Sequence, residues 1–113
     1  MNTQGASIAI DMWLSAYVDD AWAESQCDAI LVKLGVTVVA HARHRFIPAG
    51  LTSLWVLAES HCALHTYPEH RYIALDLFTC GHSFDVAEVE SVLRVHFPIH
   101  ELRIVAMKRG DAV

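Results

Sequence analysis

Between Val36 and Thr79 the chain passes through four strand-like stretches in succession, separated by breaks too short to hold a crossover helix. Residues 36–46, 51–58, 61–66 and 72–79 are rich in Val, Leu, Thr and aromatic residues, the composition of a pleated, half-buried surface. Pro48-Ala49-Gly50 reads as a turn, and Tyr67-Pro68-Glu69-His70-Arg71 as a connection in which Pro68 fits better than in a central strand. Strands joined this tightly pair as antiparallel neighbours.

The flanks complete the pattern. Residues 7–15 alternate Ile8, Ile10, Met12 and Leu14 against Trp13, which reads as a first strand. Asp19 and Asp20 then open a helix whose Ala23, Cys27, Ile30, Leu31 and Leu34 form one stripe, stopped by Gly35. Asp85, with Glu88 three residues on, has the form of a capping box for a second helix carrying Val89, Val92, Leu93 and Phe97 and ended by Pro98. A last strand covers residues 102–107. The order is strand, helix, four strands, helix, strand, which predicts an α+β fold: a two-layer sandwich of one antiparallel sheet with two helices on one face. No repeat, linker or composition shift divides residues 1–113, so a single domain is expected.

Composition bears on what such a sheet does with its other face. The hydrophobic fraction is 54% and the charged fraction 19%, an apolar excess that a second copy packed on the uncovered face would absorb. A homodimer is expected. The net charge of −5, with no basic run before Lys108-Arg109, argues against nucleic acid as a partner. No basic-then-apolar leader and no spanning apolar run occur, so the expectation is a soluble, cytoplasmic chain without membrane contact. Cys27, Cys62 and Cys80, odd in number and without close pairing, fit a reducing compartment.

The chemistry concentrates in Glu59-Ser60-His61, His65-Thr66-Tyr67-Pro68-Glu69 and Asp76-Leu77-Phe78-Thr79-Cys80-Gly81. A serine after an acidic residue is by itself most often a turn or cap. Its company is what suggests more: Thr52 on the preceding strand, His65 five residues on, and Cys80 on the next strand but one, which adjacent antiparallel strands would bring to a common locus. Such a set suits self-cleavage. Ser60 Oγ would attack the carbonyl carbon of Glu59, passing through an oxyanion that needs a donor, for which Thr52 is the candidate. A base must next remove the Ser60 α-proton, and His65 has the right ordinary pKa of ~6.5. The ester then eliminates to dehydroalanine, which hydrolyses to a pyruvoyl group with loss of ammonia. Chains 1–59 and 60–113 would remain, cut between Glu59 and Ser60. Cys80, whose thiol is largely protonated at neutral pH, is the candidate to return a proton to the substrate carbanion.

These motifs, with His44-Arg45-Phe46-Ile47-Pro48 and Gly50 upstream, resemble the prokaryotic S-adenosylmethionine decarboxylase proenzymes over about residues 35–81. The resemblance implies a pyruvoyl-dependent carboxy-lyase of polyamine and spermidine biosynthesis, made as a zymogen. Its pyruvoyl cofactor, covalent and derived from Ser60, forms a Schiff base with the substrate amine. By position, Ser60 matches the pyruvoyl precursor, His65 the processing base, Cys80 the proton donor, and Thr52 a place where the family often has serine. Phe46 and Tyr67 match aromatic positions around the adenine, and Glu69 a substrate-site acid.

The N-terminal third departs from the pattern. Where family members have Gly-x-His-x-x-x-Glu, this chain has Ser7 for the histidine and Asp11 for the glutamate; Tyr67 stands for the commoner Trp, and Cys62 for an aliphatic residue. Loss of polar contacts at the substrate end leaves arginine or ornithine as an alternative substrate. Two readings from other classes compete: a metal site drawn from His61, His65, His70, Cys80 and His82, and a non-cleaving regulatory or dimerisation relative. The first lacks any compact ligand pair, so no metal is expected; the second leaves the retention of Ser60, His65 and Cys80 without a reason.

Overall fold

The computed structural model describes residues 4–58, 60–80 and 85–110. Its elements are β1 (Gly5–Leu14), α1 (Asp20–Lys33), β2 (Val38–Arg45), β3 (Leu51–Leu57), β4 (Ser60–Tyr67), a 3-10 turn (Pro68–His70), β5 (Tyr72–Cys80), α2 (Val86–His96) and β6 (Ile99–Arg109). All pairings are antiparallel, and the order across the sheet is β2-β3-β4-β5-β1-β6. The sequence-derived order of elements is therefore the observed one. β1 lies between β5 and β6, so the chain's first strand joins its last strand to the hairpins of β2 to β5.

Both helices cover one face. Ile8, Ile10, Met12 and Leu14 of β1, Leu51, Trp55 and Leu57 of β3, Leu64 of β4, and Ile73, Leu75 and Leu77 of β5 are buried there with Leu31, Val89 and Leu93 of the helices. Strand alternation sends the intervening residues to the other face.

The helix ends follow from local chemistry. Asp19 Oδ2 accepts from the Ala21 and Trp22 amides at 3.1 and 3.4 Å, capping α1, while Gly35 adopts φ +76° just beyond it, a conformation glycine takes without a Cβ penalty. Asp85 caps α2 through the Ala87 amide at 3.1 Å.

One feature of α1 differs from the single apolar stripe expected. Asp20, Glu24 and Asp28, spaced by four residues, run beside that stripe and bind the sheet, Glu24 buried, Asp20 half-buried and Asp28 from an exposed position. Asp20 accepts from the Gly50 amide at 2.9 Å and Thr66 Oγ1 at 2.7 Å; Glu24 from Ser53 Oγ at 2.7 Å and Arg43 Nε at 2.8 Å; Asp28 from Trp55 Nε1 at 2.8 Å. Each carboxylate meets a donor on β2, β3, β4 or the turn before β3, which is what lets Glu24 be buried. Burial pushes the Glu24 carboxyl up, but the Arg43 and Ser53 donors and the Arg43 charge outweigh it and hold it below the usual range.

Candidate active site

Leu57 of β3 faces Ser60 of β4, so a tight hairpin brings Ser60 to the very start of its strand. Ser60 in turn faces Thr79 of β5, and the Cys80 amide donates to Ser60 Oγ at 3.4 Å. Ser60 and Cys80 are thus neighbours, although twenty residues separate them. Behind them, Cys80 is paired to Gly5 of β1. A Cβ at Gly5 would lie 2.6 Å from the Thr79 carbonyl oxygen and 3.3 Å from the Phe78 ring, so β1 can close on this end only with glycine there. Beside it, Arg109 Nη1 donates to Ser7 Oγ at 2.9 Å and its guanidinium lies 5.4 Å from the Phe78 ring centre. Glu59, the residue expected before the scissile bond, lies outside the described residues, as does His82.

Thr52 and His65 form a second group. They are cross-strand partners, with Thr52 Oγ1 and His65 Nδ1 hydrogen-bonded at 3.2 Å. His44 of β2 faces Thr52 on its other side. One step further along, Phe46 accompanies Gly50, whose φ of +110° is again a glycine conformation, and Tyr67 lies at the end of β4. Phe46 and Tyr67 are both exposed. Tyr67 stacks on Tyr72 at 5.4 Å, and Tyr72 on Trp13 at 5.5 Å. Glu69 follows in the 3-10 turn, exposed, with His70 Nε2 at 3.9 Å.

The common locus expected for Ser60, Thr52 and His65 does not form within one chain. Five residues of strand separate Ser60 from His65, about 17 Å at ~3.3 Å per residue. Their parity also differs: Ser60 pairs with Leu57 and Thr79 of the helix-covered face, whereas His65 pairs with Thr52 and Ala74 of the open one. The structure brings together Ser60 with Cys80, and Thr52 with His65, Phe46 and Tyr67, as two groups at opposite ends of β4. An antiparallel sheet makes adjacent strands neighbours but cannot shorten a strand, and sequence spacing alone concealed that.

A third cluster was only partly anticipated. Tyr72 hydroxyl donates to Asp11 Oδ1, and Arg103 Nε and Nη2 donate to Asp11 Oδ2 at 3.1 and 2.6 Å. The Tyr72 and Arg103 donors hold the Asp11 carboxyl below its usual range, and the bond to Asp11 pushes the Tyr72 phenol up to about 12. Asp11 stood out as the counterpart of a glutamate, but Tyr72 and Arg103 did not. The available signal was parity: Asp11 and Trp13 are out of phase with Ile8, Ile10 and Met12, so they had to share the open face with whatever polar residues β5 and β6 placed beside them.

Among the described residues, no group of three or more His, Cys, Asp or Glu side chains is arranged to hold a metal ion. The family model described as S-adenosylmethionine decarboxylase matches residues 8–110. The chain belongs to the S-adenosylmethionine decarboxylase family. An S-adenosylmethionine decarboxylase proenzyme of Pseudomonas aeruginosa is 37% identical over 92 residues, covering 81% of this chain and 58% of that protein. One of Methanococcus aeolicus is 31% identical over 116 residues, covering all of this chain and 99% of its own length. The chain thus spans little more than half of the Pseudomonas relative and nearly all of the archaeal one. The crystal structure of the adenosylmethionine decarboxylase from Aquifex aeolicus superposes with a TM-score of 0.77 at 21% identity, covering 100% of this chain and 96% of that one, which shows a shared fold.

Proposed function

We propose that this chain is a self-processing, pyruvoyl-dependent decarboxylase acting on S-adenosylmethionine, and that its site is assembled from two copies. The observation that carries the reading is the Cys80 amide on Ser60 Oγ at 3.4 Å, which couples the residue expected to be converted to the residue expected to deliver a proton. The position fits a pyruvoyl group: Ser60 begins β4 beside a tight turn, and the pairing of β4 with β3 and β5 would hold both fragments in one sheet after the cut between Glu59 and Ser60. When formed, that group supplies a ketone that takes up the substrate amine and accepts the electrons released as carbon dioxide leaves.

The chain's own residues divide the remaining work. Ser60 Oγ adds to the preceding carbonyl carbon, and when the resulting oxyanion collapses the C–N bond breaks, the hydroxyl proton having passed to the Ser60 nitrogen. Cys80, on the open face beside that end, holds the proton needed after carbon dioxide departs. Phe46, packed beside Gly50, and Tyr67, at the end of β4, are exposed rings at the same end of the sheet that would take a flat ring, and Glu69, two residues after Tyr67, would take a hydroxyl-bearing group. Two exposed aromatic rings favour an adenine-bearing substrate over arginine or ornithine, the second substrate reading, which rests on Ser7 being engaged by Arg109 where the family has histidine.

Among the described residues, the Ser60 and Cys80 end of the sheet holds His61 and Phe78, whose rings lie 5.5 Å apart, but neither the Thr52–His65 pair nor Phe46 and Tyr67. Packing two open faces together with their β4 strands antiparallel would carry the end of one copy that holds Ser60 and Cys80 over Thr52, His65, Phe46 and Tyr67 of the partner subunit, with Cys80 facing it and Ser60 at the sheet's rim. The exposed Leu54, Val56, Val105 and Met107 on that face support the contact. No described helix is long and apolar enough to cross a membrane, and Cys27, Cys62 and Cys80 are all free thiols, in keeping with a cytoplasmic enzyme.

Intact-mass analysis tests the first claim: wild type separates into fragments 1–59 and 60–113, and Ser60→Ala stays whole. Carbon dioxide release from S-adenosylmethionine, arginine and ornithine then ranks the substrates. For the two-copy site, co-refolding Ser60→Ala with His65→Ala restores cleavage of the His65→Ala chain, because a mixed dimer keeps one complete site. Cleavage by an isolated monomer would end that claim.

A further inference from the structure

Thr79 is fully buried, and among the described residues its Oγ1 has no hydrogen-bond partner. Such a hydroxyl is costly to bury, and the great majority of buried polar atoms are paired. Its position gives the orphan a meaning. Thr79 is the cross-strand partner of Ser60, on the same side of the sheet, and the next amide along, that of Cys80, already donates to Ser60 Oγ. Directly opposed residues in an antiparallel pair hold their Cβ atoms about 4.5–5.5 Å apart, so a χ1 rotation brings a threonine hydroxyl within reach of atoms bonded to its neighbour. Thr52, the donor that the spacing suggested, sits with His65 at the other end of β4.

We infer that the Thr79 hydroxyl is a catalytic donor of the self-cleavage: it gives a hydrogen bond to the oxyanion formed when Ser60 Oγ adds to the preceding carbonyl carbon. The inference rests on the self-processing reading. During that step the Oγ–C bond forms, the carbonyl π electrons move to oxygen, and the Thr79 proton stays on Thr79 while its hydrogen bond strengthens; collapse returns the electrons and expels the amide nitrogen. A donor unpaired in the intact chain and engaged in the transition state lowers the barrier without stabilising the starting material. Burial behind β4 keeps water from competing for it.

The test compares wild type, Thr79→Val and Thr79→Ser as freshly refolded full-length chains, following fragment appearance by intact mass and thermal unfolding in parallel. Thr79→Val, which keeps the shape and removes the orphan, is expected to slow cleavage about 100-fold while melting at or above the wild-type temperature, and Thr79→Ser to cleave within a few-fold of wild type. Cleavage of Thr79→Val at the wild-type rate overturns the inference, as does slowing that tracks a lowered melting temperature in both variants. A wild-type chain that never cleaves overturns the self-processing reading itself, and this inference with it.

Discussion

On the helix-covered face of β3 to β5, Trp55, Leu64, Ile73 and Leu75 are sealed beneath α1 and α2, whereas on the open face of the same strands Leu54 and Val56 remain about half exposed, at 47% and 52%, among Ala63, Ala74 and the polar groups of the site. One sheet therefore carries two different surfaces. The covered face is finished: its apolar residues have partners, and its buried acid Glu24 meets donors on β2 and β3. The open face presents small side chains and scattered apolar ones without a second layer. Stability resides in the first, and the residues expected to do chemistry, apart from Ser60 and Thr79 at the sheet's end, lie on or beside the second.

The sharpest way to break this division is to remove a large side chain from the covered face. Trp55 is 1% exposed, donates to Asp28 and stacks against His41 with ring centres 4.6 Å apart. Trp55→Ala is expected to cost about 3–5 kcal/mol in urea unfolding, from the lost burial and the cavity. A cost below about 1 kcal/mol would mean that α1 and the sheet are not packed as one unit.

Acid should separate the faces next. Glu24 has its carboxyl held below the usual glutamate value of ~4.3, so the unfolded chain binds the proton more readily than the folded one. Its contribution to stability is therefore fully present above that value and is lost as pH falls through the lower folded pKa. Glu24→Gln is expected to cost about 1–3 kcal/mol at neutral pH and to flatten the acid limb of a stability-pH curve. Asp11 on the open face is shifted in the same direction, but its side chain is 26% exposed against 10% for Glu24, so Asp11→Asn should flatten the limb less. An equal or larger effect at Asp11 would place the electrostatic anchor on the open face instead.

How much of this was legible in the sequence follows from which signals are local. The hairpin order, the Asp19 and Asp85 caps and the stop at Gly35 could be read because each depends on a few consecutive residues. The sheet-binding row of Asp20, Glu24 and Asp28 was hidden, since acids on a helix ordinarily read as its solvated side and their donors Thr66, Ser53 and Trp55 lie 46, 29 and 27 residues away. At the site, the Ser60–Cys80 proximity followed from counting hairpins, but the remoteness of His65 also followed, and was missed because spacing in a motif does not convert by itself into distance along a strand. The orphaned hydroxyl of Thr79 had no sequence signal; it appears only when burial and partners are known together.

The smallest effect on folding should come from the open face, where it carries the largest effect on assembly. Leu54 faces Ala42 on β2 and Ala63 on β4, in the middle of that surface and clear of the Thr52–His65 pair. Leu54→Asp removes an exposed methyl cluster and adds a charge that water can solvate in the separated chain, so its unfolding free energy per chain should change by no more than ~0.5 kcal/mol. In a face-to-face pair the same carboxylate would be buried, a penalty far beyond any rearrangement of an alanine-lined surface. Light scattering should therefore show Leu54→Asp as a monomer where wild type is a dimer, and intact mass should show it uncleaved although Ser60, Thr79 and Cys80 are untouched. A Leu54→Asp protein that remains dimeric would move the interface elsewhere; one that becomes monomeric yet still cleaves would return the whole of self-processing to a single chain.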